Sequence, residues 1–265
     1  MSGLFPRSAT RLRDRIRGGA PSSHTPAAHP PPPRSLLILA PDRPEDFIQV
    51  VNLSAEAVVI DCFRDGVVEP DLALIWACAR ALVVSRGAAT YPQLWLRIHP
   101  AFSQECEYEL DQLTGIGEGL ILPQVRSAED IEWVVDRAPG VRVLPVVENH
   151  YALNRVGAIA KHPAVCRLGF SARGFATTAA GAGQVLTPQE ALVWQRRIVV
   201  SATASARLPG PVNGVHGSGT AAFDAETFAQ EVDQAGDAGF TGHCVTDLAQ
   251  LVHLQAQLRI DAATD

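Results

Sequence analysis

Residues 119–150 read GLILPQVRSAEDIEWVVDRAPGVRVLPVVENH, two apolar runs separated by one amphipathic segment. The runs GLILP (119–123) and VRVLPVVE (141–148) have the length and aliphatic content of buried strands. Between them, SAEDIEWVVDRA (127–138) opens on Ser127 with Asp130 three positions on, the signature of a capped helix start. Strand, crossover helix and second strand make one unit of a parallel sheet.

The same rhythm continues in both directions. Strand candidates are LLILA (36–40), AVVID (57–61), LWLRI (94–98), GLILP, VRVLPVVE, VCRLGF (165–170), PVNGVH (211–216) and TGHCVT (241–246). Helix-like stretches lie between them, one introduced by Thr187 and Pro188. Eight strands alternating with eight helices predict a (β/α)₈ TIM barrel, class α/β, as a single domain over 34–265. An open doubly wound sheet is the competing arrangement, but no Gly-rich dinucleotide fingerprint follows the first strand.

Residues 1–33 differ in kind. Arg7, Arg11, Arg13, Arg15 and Arg17 precede a Pro-, Ser- and Ala-rich stretch that cannot bury enough surface to fold, so a disordered leader is expected, with a transit peptide or a tether to an anionic surface as functional alternatives. Residues 1–34 carry +5, and taking that from the −6 of the whole chain leaves −11 on the remainder. That balance argues against nucleic acid as a partner. No apolar run has the length of a membrane span and none near the N-terminus reads as a secretory signal, so a soluble cytoplasmic protein with no membrane partner is expected. Five scattered cysteines without a CxxC pair read as small core residues rather than as disulfides or a zinc site.

In a barrel of this kind the chemistry sits past the C-terminal ends of the strands. The polar residues there are Asp42, Asp61, Asp65, Arg97, His99, Gln124, Arg126, Glu148, His150, Ser171, Arg173, Asn213, His216 and His243. Arg97 and Glu148 stand out, because each ends an apolar run where burial leaves a charge in need of a partner. The histidines at 99, 150, 216 and 243 could serve as bases or transition-metal ligands, but no HxH or HxxxH spacing links them, and hydrogen-bonded loop positions are their ordinary reading.

In order along the chain, RSLLILAPDRPEDF, VVIDCFRDGV, LWLRIHP, LILPQVRSAEDI, LPVVENHYALN, RLGFSARGF, VNGVH and GFTGH resemble the citrate lyase beta-subunit-like proteins of the HpcH/HpaI aldolase superfamily. The resemblance spans 34 to about 258. It implies a TIM barrel that is a homo-oligomer, in which Mg²⁺ and an arginine hold a 2-oxo acid or acyl-CoA thioester while a carbon–carbon bond is cleaved or formed. Arg97 matches the substrate-binding arginine and Glu148 one of two carboxylate metal ligands. The second metal-binding aspartate is matched by Gly174, and the glutamate before it by Arg173.

Asp61 and Asp65 stand for the family's acidic cluster, while Gln124, Arg126, Gln195, Asn213 and His243 depart from its pattern and Arg197 is retained. No residue is assigned as the catalytic acid or base. Two functions follow: a carbon–carbon lyase or aldolase with weakened metal dependence, or a catalytically silent barrel acting as a binding or regulatory partner. Arg173 could also take the cation's place by pairing with Glu148.

Overall fold

The computed structural model describes residues 30–42, 44–53, 55–63, 71–87, 89, 91–113, 115–178, 188–214 and 224–264. Pro32–Asp265 form one compact unit. Eight parallel strands close on themselves in sequence order: β1 (Ser35–Leu39), β2 (Ala57–Asp61), β3 (Gln93–Arg97), β4 (Gly119–Leu122), β5 (Val143–Val147), β6 (Gly169–Phe170), β7 (Val212–Asn213) and β8 (Gly242–Val245). The ring shuts where Leu36 pairs with Cys244. The helices are α1 (Pro44–Gln49), α2 (Leu72–Arg86), α3 (Gln104–Leu113), α4 (Ala128–Arg137), α5 (His150–Ala160), α6 (Ala172–Thr178), α7 (Pro188–Ala206), α8 (Ala225–Asp237) and α9 (Leu248–Thr264). This is the predicted (β/α)₈ barrel. Among the described residues no helix is long and apolar enough to cross a membrane.

The period of two in each strand builds two cores. Leu36, Ile38, Ala57, Val59, Trp95, Ile121, Leu144 and Val212 turn inward and fill the barrel. Their neighbours Leu37, Val58, Ile60, Leu94, Leu96, Leu120 and Leu122 turn outward into the layer under the helices. Trp95 is the largest of the inward residues, and its ring leaves β4 no room: a Cβ on Gly119 would lie 2.4 Å from the indole.

Below this apolar layer the barrel is stoppered by buried arginines. Arg142 donates to the Gln93 side-chain oxygen (2.9 Å) and the Glu118 carbonyl (3.1 Å), with its guanidinium 5.2 Å from the Trp95 ring centre. Arg167 donates to the carbonyls of Pro33 (2.6 Å) and Gly210 (2.7 Å) and to the Thr241 hydroxyl. Burial pushes the Arg167 guanidinium down to about 10, which leaves it charged at neutral pH. Arg34 pairs with Glu56 at 3.0 Å and Arg86 with Glu118 at 2.9 Å around the same end.

Several boundaries differ from the sequence reading. The run 165–170 gives a ladder only over Gly169–Phe170, with one separate bridge from Val165 to Val143. Arg167 lies between them and uses its guanidinium on carbonyls under the barrel. The run 211–216 gives only Val212–Asn213. The first helix stops at Gln49 and tightens to a 3₁₀ turn over Val50–Leu53. Helix α6 was not foreseen: ARGFATT is too short to show an amphipathic period. Cys62, Cys78 and Cys106 are buried, whereas Cys166 and Cys244 are partly accessible within the barrel.

His243 lies inside β8, facing away from the barrel axis because its neighbour Cys244 faces inward. Burial, and then the charges of Arg196 and Arg167, push its imidazole down to about 4. The ring is neutral in the folded state, while the unfolded chain takes up a proton near pH 6.5. Acid therefore favours unfolding between those values.

Two outcomes follow. Gly119→Ala should lower stability by about 1–3 kcal/mol in urea denaturation, and Trp95→Leu in the same chain should recover part of that loss, since the two positions share one space. Lowering the pH from about 6.5 to about 4 should cost on the order of 3 kcal/mol through His243; the same titration with His243→Gln should be flatter, and an unchanged slope would refute the assignment.

Candidate functional site

At the C-terminal ends of the strands a cavity of about 680 Å³ opens onto the barrel axis. Its floor is the barrel's own core: Ile38, Ile121, Leu144, Val146, Val212 and Cys244. Its wall carries Asp61, Phe63, Arg97, Glu148, Ser171, Arg173 and Gly174. An apolar floor beneath a charged rim strengthens whatever ionic contacts a small ligand makes there.

Arg97 ends β3 beside Asp61 at the end of β2, and the two are register partners across the ladder. Its Nη1 donates to both Asp61 oxygens (3.1 and 3.3 Å) and to the Phe63 carbonyl (3.4 Å), with the Phe63 ring centre 5.1 Å from the guanidinium carbon. All three bonds use one nitrogen. Nε and Nη2 make no hydrogen bond among the described residues, so one edge of the guanidinium is left for an anion.

Glu148 follows β5 and holds the β4–α4 loop. Its Oε1 accepts the Gln124 backbone N–H at 2.6 Å, an approach made with Gln124 at φ 52°. Asn149 tightens the same loop from the next position, its side-chain nitrogen donating to the Val125 carbonyl (2.8 Å) while its oxygen caps α5 at Ala152 (2.9 Å). At the far end of the loop Asp130 accepts the Ser127 N–H at 3.0 Å. Burial pushes the Glu148 carboxyl up, and the Gln124 N–H and the field of Arg97 offset only part of that rise.

Helix α6 closes the other side of Glu148. It starts after Ser171, whose hydroxyl accepts the Gly174 N–H at 3.3 Å. At Gly174 the helix backbone rests on Glu148: a Cβ there would lie 2.5 Å from the Glu148 Cβ, 2.8 Å from its carbonyl oxygen and 2.8 Å from Oε2. Glycine is demanded by this contact. Arg173, one position earlier, is exposed in the cavity wall and makes no ion pair among the described residues. The alternative in which Arg173 pairs with Glu148 is therefore not realised among the described residues.

The remaining candidates disperse. His99 is buried away from the cavity, its Nδ1 2.7 Å from Glu109 on α3 and its backbone N–H donating to the other Glu109 oxygen at 2.8 Å. This pair ties the end of β3 to the helix layer. His150 is exposed at the start of α5 with its ring 5.4 Å from that of Phe175, and His243 lies within β8. Asp42, Gln124, Arg126 and Asn213 do not line the cavity; Arg126 instead covers the Tyr151 ring at 4.6 Å. Asp65, His216 and Thr187 lie outside the described residues.

Three contributors were missed in the sequence. Glu109 sits in a strongly polar helix where nothing marks it as buried. Phe63 and Thr246 enter the wall just past β2 and β8, as the first bulky or polar residues there. Position after a strand end was the signal for both.

The residues present do not fit a magnesium ion of the kind the family resemblance implies. Magnesium needs a near-octahedral set of oxygens at about 2.0–2.1 Å. Here the Asp61 oxygens accept from Arg97, Glu148 Oε1 accepts from Gln124, and Glu148 Oε2 lies against the helix at Gly174. No three His, Cys, Asp or Glu side chains gather as a metal group among the described residues.

No protein-family model matches the sequence, and no curated protein does. Solved structures do match. RipC from Yersinia pestis shares 22% identity at a TM-score of 0.64, over 85% of this chain and 94% of that one. The citrate lyase beta subunit complexed with oxaloacetate and magnesium, from M. tuberculosis, shares 20% at 0.67, over 86% and 97%. Protein CitE from Mycobacterium tuberculosis in complex with magnesium, acetoacetate and coenzyme A shares 21% at 0.67, over 86% and 81%. At these identities what is shared is the fold: this chain resembles the citrate lyase beta subunits and carries their barrel.

Proposed function

We propose that the protein binds a small 2-oxo acid, or the acyl part of an acyl-CoA thioester, in the cavity at the barrel mouth and acts there on a carbon–carbon bond, as a diverged relative of the citrate lyase beta subunits. The observation that carries this reading is Arg97. Its guanidinium is fixed by Asp61 and the Phe63 carbonyl through one nitrogen, and its free edge matches the two oxygens of a carboxylate or of an α-keto acid.

The apolar floor suits the carbon chain of such a ligand, and the rim keeps its charge near solvent. Cleavage beside a carbonyl leaves negative charge on an enolate oxygen, and a preorganised guanidinium lowers the barrier by meeting that charge as it develops. Of the ligands named for the solved relatives, oxaloacetate is a 2-oxo acid, acetoacetate a 3-oxo acid and coenzyme A the thiol from which acyl thioesters are built. The protein is taken to act in the cytoplasm and, as the family resemblance implies, as a homo-oligomer.

Calorimetric titration with pyruvate, oxaloacetate and acetoacetate tests the binding step. Arg97→Lys keeps a positive charge beside Asp61 but loses the planar edge, and should weaken pyruvate about tenfold. Incubation with citramalyl, malyl and citryl thioesters tests cleavage, with release of the 2-oxo acid and of the acetyl thioester as the readout. No binding of any of the three acids by the unmodified protein would refute the reading, and binding without turnover would leave a barrel that only holds its ligand.

A further inference from the structure

We infer that the barrel mouth takes its anion without a divalent cation: α6 is seated on Glu148 at Gly174, so that Glu148 itself fills the space into which a second metal-binding side chain would project, and Arg97 and Arg173 supply the positive charge. The identity of the anion rests on the function proposed above. The exclusion of the cation rests on the packing alone.

Loss of one carboxylate by itself would leave a vacancy that water could fill around a bound ion. The geometry differs from that. The Cβ positions available at residue 174 fall on atoms of Glu148, two of them main-chain or Cβ atoms that cannot swing aside. Glu148 is equally constrained from the opposite side, because its Oε1 serves the Gln124 N–H that shapes the β4–α4 loop. Turning the carboxylate toward an ion would break that bond and release the loop it holds. Asp61 is engaged with Arg97 in the same way.

Positive charge is nevertheless present. Arg97 faces the cavity with a free edge, and Arg173 stands in the wall without an ion pair among the described residues. Two guanidinium groups beside an apolar floor can hold a carboxylate by direct hydrogen bonds, with no ion between.

The full chain should be titrated with Mn²⁺ alone, up to roughly millimolar, following the free ion by electron paramagnetic resonance, and with pyruvate by calorimetry in Mg²⁺ and in EDTA. Mn²⁺ should remain free, and pyruvate affinity should agree within about twofold in the two buffers, while Arg173→Gln should weaken pyruvate about fivefold. Bound Mn²⁺ that disappears in Glu148→Gln, or a tenfold loss of pyruvate affinity in EDTA, would overturn the inference. If pyruvate binds in neither buffer, the proposed function fails and the Mn²⁺ titration still decides the question of the cation.

Gly174→Ala and Gly174→Asp provide the steric control. Each should lower the melting temperature by about 5 °C, without bound Mn²⁺ in the aspartate variant. A Gly174→Asp protein that melts with the unmodified one and retains Mn²⁺ would show that α6 yields, and would also overturn the inference.

Discussion

Closure of the sheet is the constraint on which the rest of this molecule depends. Once β8 pairs with β1, alternate residues of every strand must share the space inside the ring, and that space admits Trp95 only because β4 offers glycine opposite it. The inward residues at the upper ends of the strands cannot be filled in the same way. They become the floor of a cavity, and the first residues beyond each strand become its wall.

This explains which parts of the molecule could be read from the sequence. Apolar runs of four to six residues mark β1 to β5 well, since each strand is buried on both faces. The last three strands are less legible, because β6 and β7 pair over two residues each and their flanking segments run alongside without a ladder. Arg97 and Glu148 were legible as charges at strand ends, and both line the cavity. What Glu148 touches was not. Its partner is a backbone N–H, which no residue type announces, and the helix that packs on it is too short to leave a period.

Gly174 shows the limit most clearly. In the sequence it reads as an aspartate lost. In the fold it is the point where a helix backbone meets a carboxylate side chain, a contact that only the smallest residue allows. The His99–Glu109 pair teaches the converse lesson: a histidine past a strand end looked chemical, and it proves to anchor β3 to α3 through both its ring and its backbone.

The arginine stopper under the barrel bears on how molecules move through it. Arg142 and Arg167 are buried and bonded to carbonyls around the lower ends of β3 to β8 and of β1, with the Trp95 ring directly above Arg142. Access to the cavity is thus from one side. Whatever the cavity holds therefore enters and leaves past the same rim of Asp61, Arg97, Glu148 and Arg173. The charges at that rim are met before the apolar floor, so the entrance sorts ligands by charge before the interior sorts them by shape.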